Sequence, residues 1–217
     1  MGGTLSKLVL GAMGALRPAP ARGEAAPRLP LPAPAREGGA SLLSALAARR
    51  SQRSFRSEPL EPALLGQLLW AANGRNRPEG GRTAPSALNA QEIEIYVALP
   101  QGAYRYDAAA HALELAAAGD LRRVTGYQDF VDTAPLDLVY VAEHGRLSMV
   151  PAAQRSAYAH VAAGAIAQNV YLYAAGVGLA TVLRAWIDRE AIAQALGLHP
   201  GQDVLLSQTL GWPGDGA

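Results

Sequence analysis

The stretch AAQRSAYAHVAAGAIAQNVYLYAA, residues 152–175, governs how the rest of the chain reads. It contains no proline, and alanine, the best helix former, dominates it. Apolar residues fall on nearly every side of the predicted helix rather than on one stripe. Such a helix is buried in a large core or between subunits. At 1.5 Å per residue it would run for about 36 Å. That is long for the body that contains it, so a subunit interface is its natural place.

Outward from this helix the pattern alternates irregularly. Leu136 to Ala142, LDLVYVA, is an almost continuous apolar run, as expected of a central strand buried on both faces. After the helix come a strand at Leu179–Val182, a helix at 188–196 and a strand at Val204–Leu210. Before it, Ile93–Leu99 alternates as a strand does, and Tyr104–Tyr106 with Leu113–Leu115 reads as a hairpin. Residues 119–127 read as a short helix. Ser41 caps a predicted helix whose Leu42, Leu43 and Leu46 share one face. Pro62 opens a second amphipathic helix through Leu64, Leu65, Leu68 and Leu69, which Gly74 closes. Residues 75–85 form a polar loop. Together these predict an α+β body built on a mixed or antiparallel sheet with one long central helix.

Composition excludes several classes. Half of the 217 residues are apolar and 17% are charged, so the chain builds a core. It has no cysteine, hence no disulfide, thiolate metal site or cysteine nucleophile. No run of apolar residues is long enough to predict a membrane span. Residues 1–37 carry a net charge of +3 and the remainder −2, so the body lacks the basic face of a nucleic-acid binder. Lys7 is the only lysine.

Residues 1–37 stand apart. Lys7 precedes a short apolar stretch, Leu8–Leu16, then small residues at Ala19, Ala21 and Ala25, then prolines at 27, 30, 32 and 34. The order resembles a secretory signal peptide, which would make the protein exported or periplasmic. The alternative is an amphipathic arm ending in a Pro-rich linker on a cytoplasmic protein. Either way, the boundary expected is a leader over 1–37 and one domain over 38–217.

Most catalytic motifs are missing: there is no G-x-S-x-G, Walker A or H-E-x-x-H pattern, and no metal site is expected. Gly176-Val-Gly178 follows a helix and precedes a strand, the reverse of the dinucleotide-binding order, and reads as a helix terminator. Glu143-His144 is either an acid–base pair or a strand end in solvent. Arg49-Arg50-Ser51-Gln52-Arg53 gathers three guanidinium groups and a hydroxyl at a helix end. Arginine forks match phosphate oxygens, and equally such cations complement a helix dipole in solvent. In Pro85-Ser86-Ala87-Leu88-Asn89-Ala90-Gln91, Ser86 suits a helix cap that leaves backbone N–H groups for a ligand. Asn89 and Gln91 offer amides that donate and accept, which suits a heterocycle edge carrying both N–H and C=O, such as a flavin pyrimidine ring. An ordinary capped helix start explains the same residues.

Taken in order, R-R-S-x-R, then P-S-x-x-N-x-Q, the alanine-rich helix leading into G-L-A-T-V, and a closing L-G-W-P resemble the nitroreductase-like flavoprotein superfamily over about residues 40–214. The nearest likeness is to the branch related to azoline-forming dehydrogenases. The resemblance implies an α+β sandwich with a mixed, mainly antiparallel sheet and a long buried central helix, forming an intertwined homodimer with two flavin mononucleotide (FMN) sites at the subunit interface. Arg49, Arg50, Ser51 and Arg53 would hold the phosphate, ribityl chain and N1/O2 edge, with Arg53 stabilising charge there. Pro85, Ser86, Ala87 and Asn89 would come from the other subunit to the ring. Leu183, Arg184, Ala185 and Trp186 would lie against the flavin and offer a backbone N–H to N5. The activity implied is ping-pong transfer from NAD(P)H, through N5, to a nitroaromatic, quinone or enone acceptor. No side chain is an obligatory proton donor. An exported protein would meet little NAD(P)H, which leaves the donor open in that case.

Two departures qualify this. Many relatives supply basic phosphate ligands near the C-terminus, whereas here Gly-Asp-Gly-Ala follows Pro213, and Arg184 is the candidate substitute. The position often occupied by glutamate is Ala185. A body without lysine also speaks against azoline formation, which uses lysine and tyrosine. The rivals are a flavin- or heterocycle-binding module without turnover and a purely structural α+β dimer.

Overall fold

A computed structural model describes residues 2–215. Its helices are α1 (Gly2–Ala12), α2 (Leu42–Ala48), α3 (Pro62–Asn73), α4 (Ala152–Val177) and α5 (Arg189–Leu196). Its strands are β1 (Arg28–Pro30), β2 (Ile93–Leu99), β3 (Gly102–Asp107), β4 (Ala112–Ala118), β5 (Leu136–Glu143), β6 (Ala180–Arg184) and β7 (Gln202–Gly211). The strands form one sheet in the order β1-β4-β3-β2-β5-β7-β6. Every pairing is antiparallel, so the mixed sheet allowed by the sequence reduces to a purely antiparallel one.

The apolar run at 136 occupies the position its composition demands. β5 lies between β2 and β7 and is covered on both faces. Leu136, Leu138 and Tyr140 point into a core shared with α3 and α4, where Leu68, Leu69, Ile166 and Val170 meet them. Val139 and Val141 point the other way, into a second core with Leu16, Leu121, Ile187, Ile192 and Leu196. The result is a sandwich with helices on both sides of the sheet.

Local chemistry sets the helix ends. Ser41 accepts the Ser44 N–H at 3.1 Å to open α2, and Asp188 accepts the Ala191 N–H at 3.0 Å to open α5. Gly178 ends α4 with φ 77°, a left-handed conformation that favours glycine. The G-x-G is therefore a helix terminator. Residues 119–127 form a single 3-10 turn, Arg122–Val124, instead of the expected helix. The Asp120 carboxylate takes the Arg122 backbone N–H and two guanidinium hydrogen bonds, at 2.8 and 2.6 Å. These local bonds compete with helical ones.

The segment before Gly38 is packed against the rest. Lys7 in α1 is only 4% exposed, and its ammonium binds Asp132 at 2.5 Å and the Gln128 carbonyl at 3.2 Å. Leu16 is buried in the second core. β1 adds to the edge of the sheet beside β4, where Pro30 opposite Ala112 is tolerated because an edge strand can spare an N–H. Gln67 of α3 then holds both backbone groups of Ala35. Among the described residues, no helix is long and apolar enough to cross a membrane.

Candidate functional site

Beyond α2 the chain turns along the outer edge of β6. Gln52 donates its N–H to the Thr181 carbonyl at 3.0 Å, Arg56 to that of Trp212, and Gly214 to that of Ser54. The arginine strip is thus pinned between β6 and the C-terminal segment. Tyr171 of α4 ties it further. Its hydroxyl lies 2.8 Å from Ser51 Oγ and accepts the Leu183 N–H at 2.9 Å, while its ring carries the Arg49 guanidinium at 5.4 Å. Ser51, Arg49 and Leu183 therefore meet at one tyrosine. Sequence reasoning missed Tyr171, because in a helix apolar all round it looks like another core residue.

Among the described residues, Arg49, Arg50 and Arg53 have no carboxylate within ion-pairing distance. The recess beside them, about 480 Å³, is bounded by Arg49, Arg50, Gln52, Ala175, Gly178 and Pro213. Two uncompensated guanidinium groups, those of Arg49 and Arg50, line it beside Gly178 and make a donor set suited to a phosphate dianion, whereas Arg53 is exposed and is not part of the lining.

The second cluster takes a different form from the one expected. Ser86 starts no true helix. Ala87–Asn89 is one 3-10 turn, and Leu88, Asn89 and Gln91 all hold positive φ, between 51° and 55°. Non-glycine residues adopt this region at a cost, and it concentrates at functional sites. The cause is Gln91: its N–H donates to Ser86 Oγ, its amide nitrogen to the Gly80 carbonyl, and its amide oxygen accepts from Arg82, each at 2.9 Å. Those bonds fold the loop back on itself. They also occupy the Gln91 amide, so of the two amides only Asn89, which is exposed, has donors left for a ligand. Pro85, Ser86 and Ala87 wall an apolar groove of about 460 Å³ whose opposite side is Ala157, Tyr158, Val161 and Ala165 of α4. Directly after the loop, Glu92 is fully buried with neither carboxylate oxygen hydrogen-bonded, and burial raises its pKa.

The two clusters do not meet within one chain. The groove lies beside Val161 and the arginine recess beside Ala175. From Ala165, the groove residue nearest the recess, to Ala175 is ten residues of α4, about 15 Å along the axis.

Arg184 is corrected from phosphate ligand to core ion pair. Its guanidinium binds Asp137 Oδ1, the Thr125 carbonyl and Thr209 Oγ1, each at 2.8 Å, and lies over Phe130. It points into the sandwich because strand alternation turns it toward β7 and β5, where Thr209 and Asp137 wait. Gly126 yields the space: any Cβ there would collide with that guanidinium. Burial pushes the Asp137 pKa up to about 6 against the attraction of Arg184, and burial lowers the pKa of Arg184. Ala185 and Trp186 remain exposed at the surface, with Trp186 tilted against Tyr127 at 5.5 Å. Glu143 and His144 do not pair with each other: Glu143 binds His199 at 3.0 Å and His144 binds Asp203 at 2.7 Å.

The family model of the Nitroreductase family matches residues 46–212. The protein belongs to that family. Two similar proteins carry the name "putative nitroreductase". One, from Methanocaldococcus jannaschii, is 34% identical over 153 residues, 65% of this chain and 77% of its own length. The other, a crystal structure from Ralstonia eutropha JMP134, is 48% identical with a TM-score of 0.89, covering 92% of this chain and 96% of that one. The NADPH:FMN oxidoreductase of Vibrio harveyi, complexed with NAD+, shares the fold at 20% identity and a TM-score of 0.58, covering 79% and 68%. Family membership supports a flavin-dependent oxidoreductase as the general class.

Proposed function

We propose that this protein is an FMN-dependent oxidoreductase that works as a homodimer, takes hydride from NAD(P)H and reduces a nitroaromatic, quinone or enone acceptor. The separation of the two clusters along α4 carries the proposal. A single chain has a candidate phosphate-binding half and a ring-facing half about 15 Å apart along α4. A second copy with its α4 antiparallel would set the arginine recess of each chain beside the apolar groove of the other. The faces involved are apolar and uncovered in one chain: Leu43 is 77% exposed, Leu88 75% and Val161 75%. A soluble protein leaves patches of this kind open for a partner.

Arg49, Arg50, Ser51 and Arg53 would hold the phosphate end, and Pro85, Ser86, Ala87 and Asn89 the ring. Bound there, FMN supplies reversible two-electron redox chemistry. The chain supplies placement and charge. Tyr171 fixes Arg49, Ser51 and the Leu183 backbone in one arrangement before any ligand arrives. Arg53, with no carboxylate partner, stabilises negative charge at the edge it faces. Leu183 spends its own N–H on Tyr171, so the backbone donors left in that stretch are those of Ala185 and Trp186. The exposed indole of Trp186 flanks them.

The test is a spectrum of the purified protein titrated with NADH and NADPH. Yellow protein that bleaches and recovers its colour with a quinone supports the proposal. Yellow protein that no donor bleaches indicates a binding module, and colourless protein that takes up no FMN indicates a structural role.

A further inference from the structure

The polar loop after α3 is a tight hairpin with a charge imbalance. Arg75 and Arg82 pair across it, Asn76 donates its N–H to the Gly81 carbonyl at 3.0 Å, and Gly80 donates to that of Arg77 at 3.0 Å. The Arg77 guanidinium folds back over Gly81. Beside the hairpin is a recess of about 270 Å³ lined by Arg36, Arg75, Arg77, Trp70 and His111. That is room for roughly nine waters, enough for a phosphorylated group and not only a bare ion.

No carboxylate lines this recess. Among the described residues, neither Arg36, Arg75, Arg77 nor nearby Arg82 belongs to any ion pair. Arg36 and Arg75 spend part of their donor sets on backbone carbonyls of the hairpin, those of Asn76, Arg77 and Pro78. Arg77 makes no side-chain hydrogen bond among the described residues. The Trp70 indole N–H binds the Arg75 carbonyl at 3.1 Å and its ring carries the Arg36 guanidinium at 5.9 Å, so Trp70 ties Arg36 to the hairpin. Guanidinium groups around a hollow that no carboxylate lines offer charge-assisted donors to an anion.

Arg77 also lines the neighbouring cavity, together with Glu79, Arg82, Pro85, Ser86 and Asn89. The recess and the ring-facing loop are thus joined through one side chain. We infer that the Arg36–Arg75–Arg77 recess is an anion subsite that receives the phosphates of the dinucleotide donor while its nicotinamide reaches the ring. The identity of the ligand rests on the function proposed above; the anion subsite rests on the cations alone.

ADP-ribose, which carries the pyrophosphate and adenosine but no nicotinamide, is the probe. Its affinity for the full chain is measured by calorimetry for the wild type, Arg75→Gln, Arg77→Gln and Arg123→Gln. Arg123 is an exposed cation away from the recess and controls for net charge. Arg75→Gln and Arg77→Gln should each weaken ADP-ribose about tenfold, with Arg123→Gln unchanged and binding weaker at high salt. Both side chains are exposed, and unaltered melting temperatures verify the fold. Absence of ADP-ribose binding, equal affinity in all variants, or inorganic phosphate binding as tightly as ADP-ribose overturns the inference. Colourless, FMN-refusing protein that still binds ADP-ribose through these arginines overturns the proposed function and leaves the anion subsite standing.

Discussion

Arg184→Met separates the core ion pair from the phosphate ligand. The substitution keeps much of the side-chain length but removes the partner of a fully buried carboxylate. It leaves Asp137 with only the Thr209 hydroxyl at Oδ1, and the Thr125 carbonyl with the Ser207 hydroxyl as its remaining side-chain donor. Removing one member of a buried pair costs about 3–5 kcal/mol. For a chain of this size that is a fall of roughly 6–20 °C in melting temperature. The loss should depend on pH. The Asp137 pKa is raised from the ordinary carboxylate value to about 6, so the native state binds this proton more tightly than the unfolded chain does. Its contribution to stability is complete below pH 4 and is lost as pH rises through about 6, by roughly 3 kcal/mol. Without Arg184 the carboxyl titrates higher still. The gap between variant and wild type should therefore be small at pH 5, where both are protonated, and wide at pH 8. Urea unfolding at the two pH values measures it, with flavin content determined in parallel. Arg184→Met/Asp137→Leu should regain much of the loss, because an apolar pair replaces the stranded charge. A variant as stable as the wild type at pH 8 but stripped of FMN would refute this reasoning and restore Arg184 to the phosphate.

Arg53→Gln should weaken FMN binding about 10–100-fold, the worth of one charge-assisted contact, in a fluorescence-quenching titration; unchanged affinity together with an unchanged reduction rate removes Arg53 from the site. Tyr171→Phe keeps the ring under Arg49 but frees Ser51 and the Leu183 N–H, so about 1–2 kcal/mol of stability and a comparable part of FMN affinity should go. Wild-type behaviour in both assays would mean the tyrosine positions nothing. Val161→Arg places a charge on the uncovered face of α4 and should turn a dimeric mass in light scattering into a monomeric one. A wild type already monomeric with flavin bound defeats the shared-site proposal outright.

The elements legible in the sequence were those whose pattern is their own cause. β5 is apolar at every position because both of its faces are covered, and α4 is apolar all round because it has core on one side and an open groove on the other. What escaped depended on partners distant in sequence. Arg184 reads as a free cation until Asp137 and Thr209, 47 and 25 residues away, are seen beside it. Ser86 looks like a helix cap, and only the bonds of Gln91 to Arg82 and Gly80 reveal a left-handed turn. The Pro-rich leader looks like a linker because a three-residue edge strand carries no periodicity. The arginine strip was visible as a cluster, but its fixing by Tyr171 was not.

Burial of the sole lysine has a practical consequence. Amine-directed reagents will find no accessible side-chain amine while α1 stays docked, since Lys7 is sealed against Asp132. Acylation of Lys7 under mild conditions would therefore count excursions of the N-terminal helix away from the sheet, a clock for local opening that needs no engineered probe.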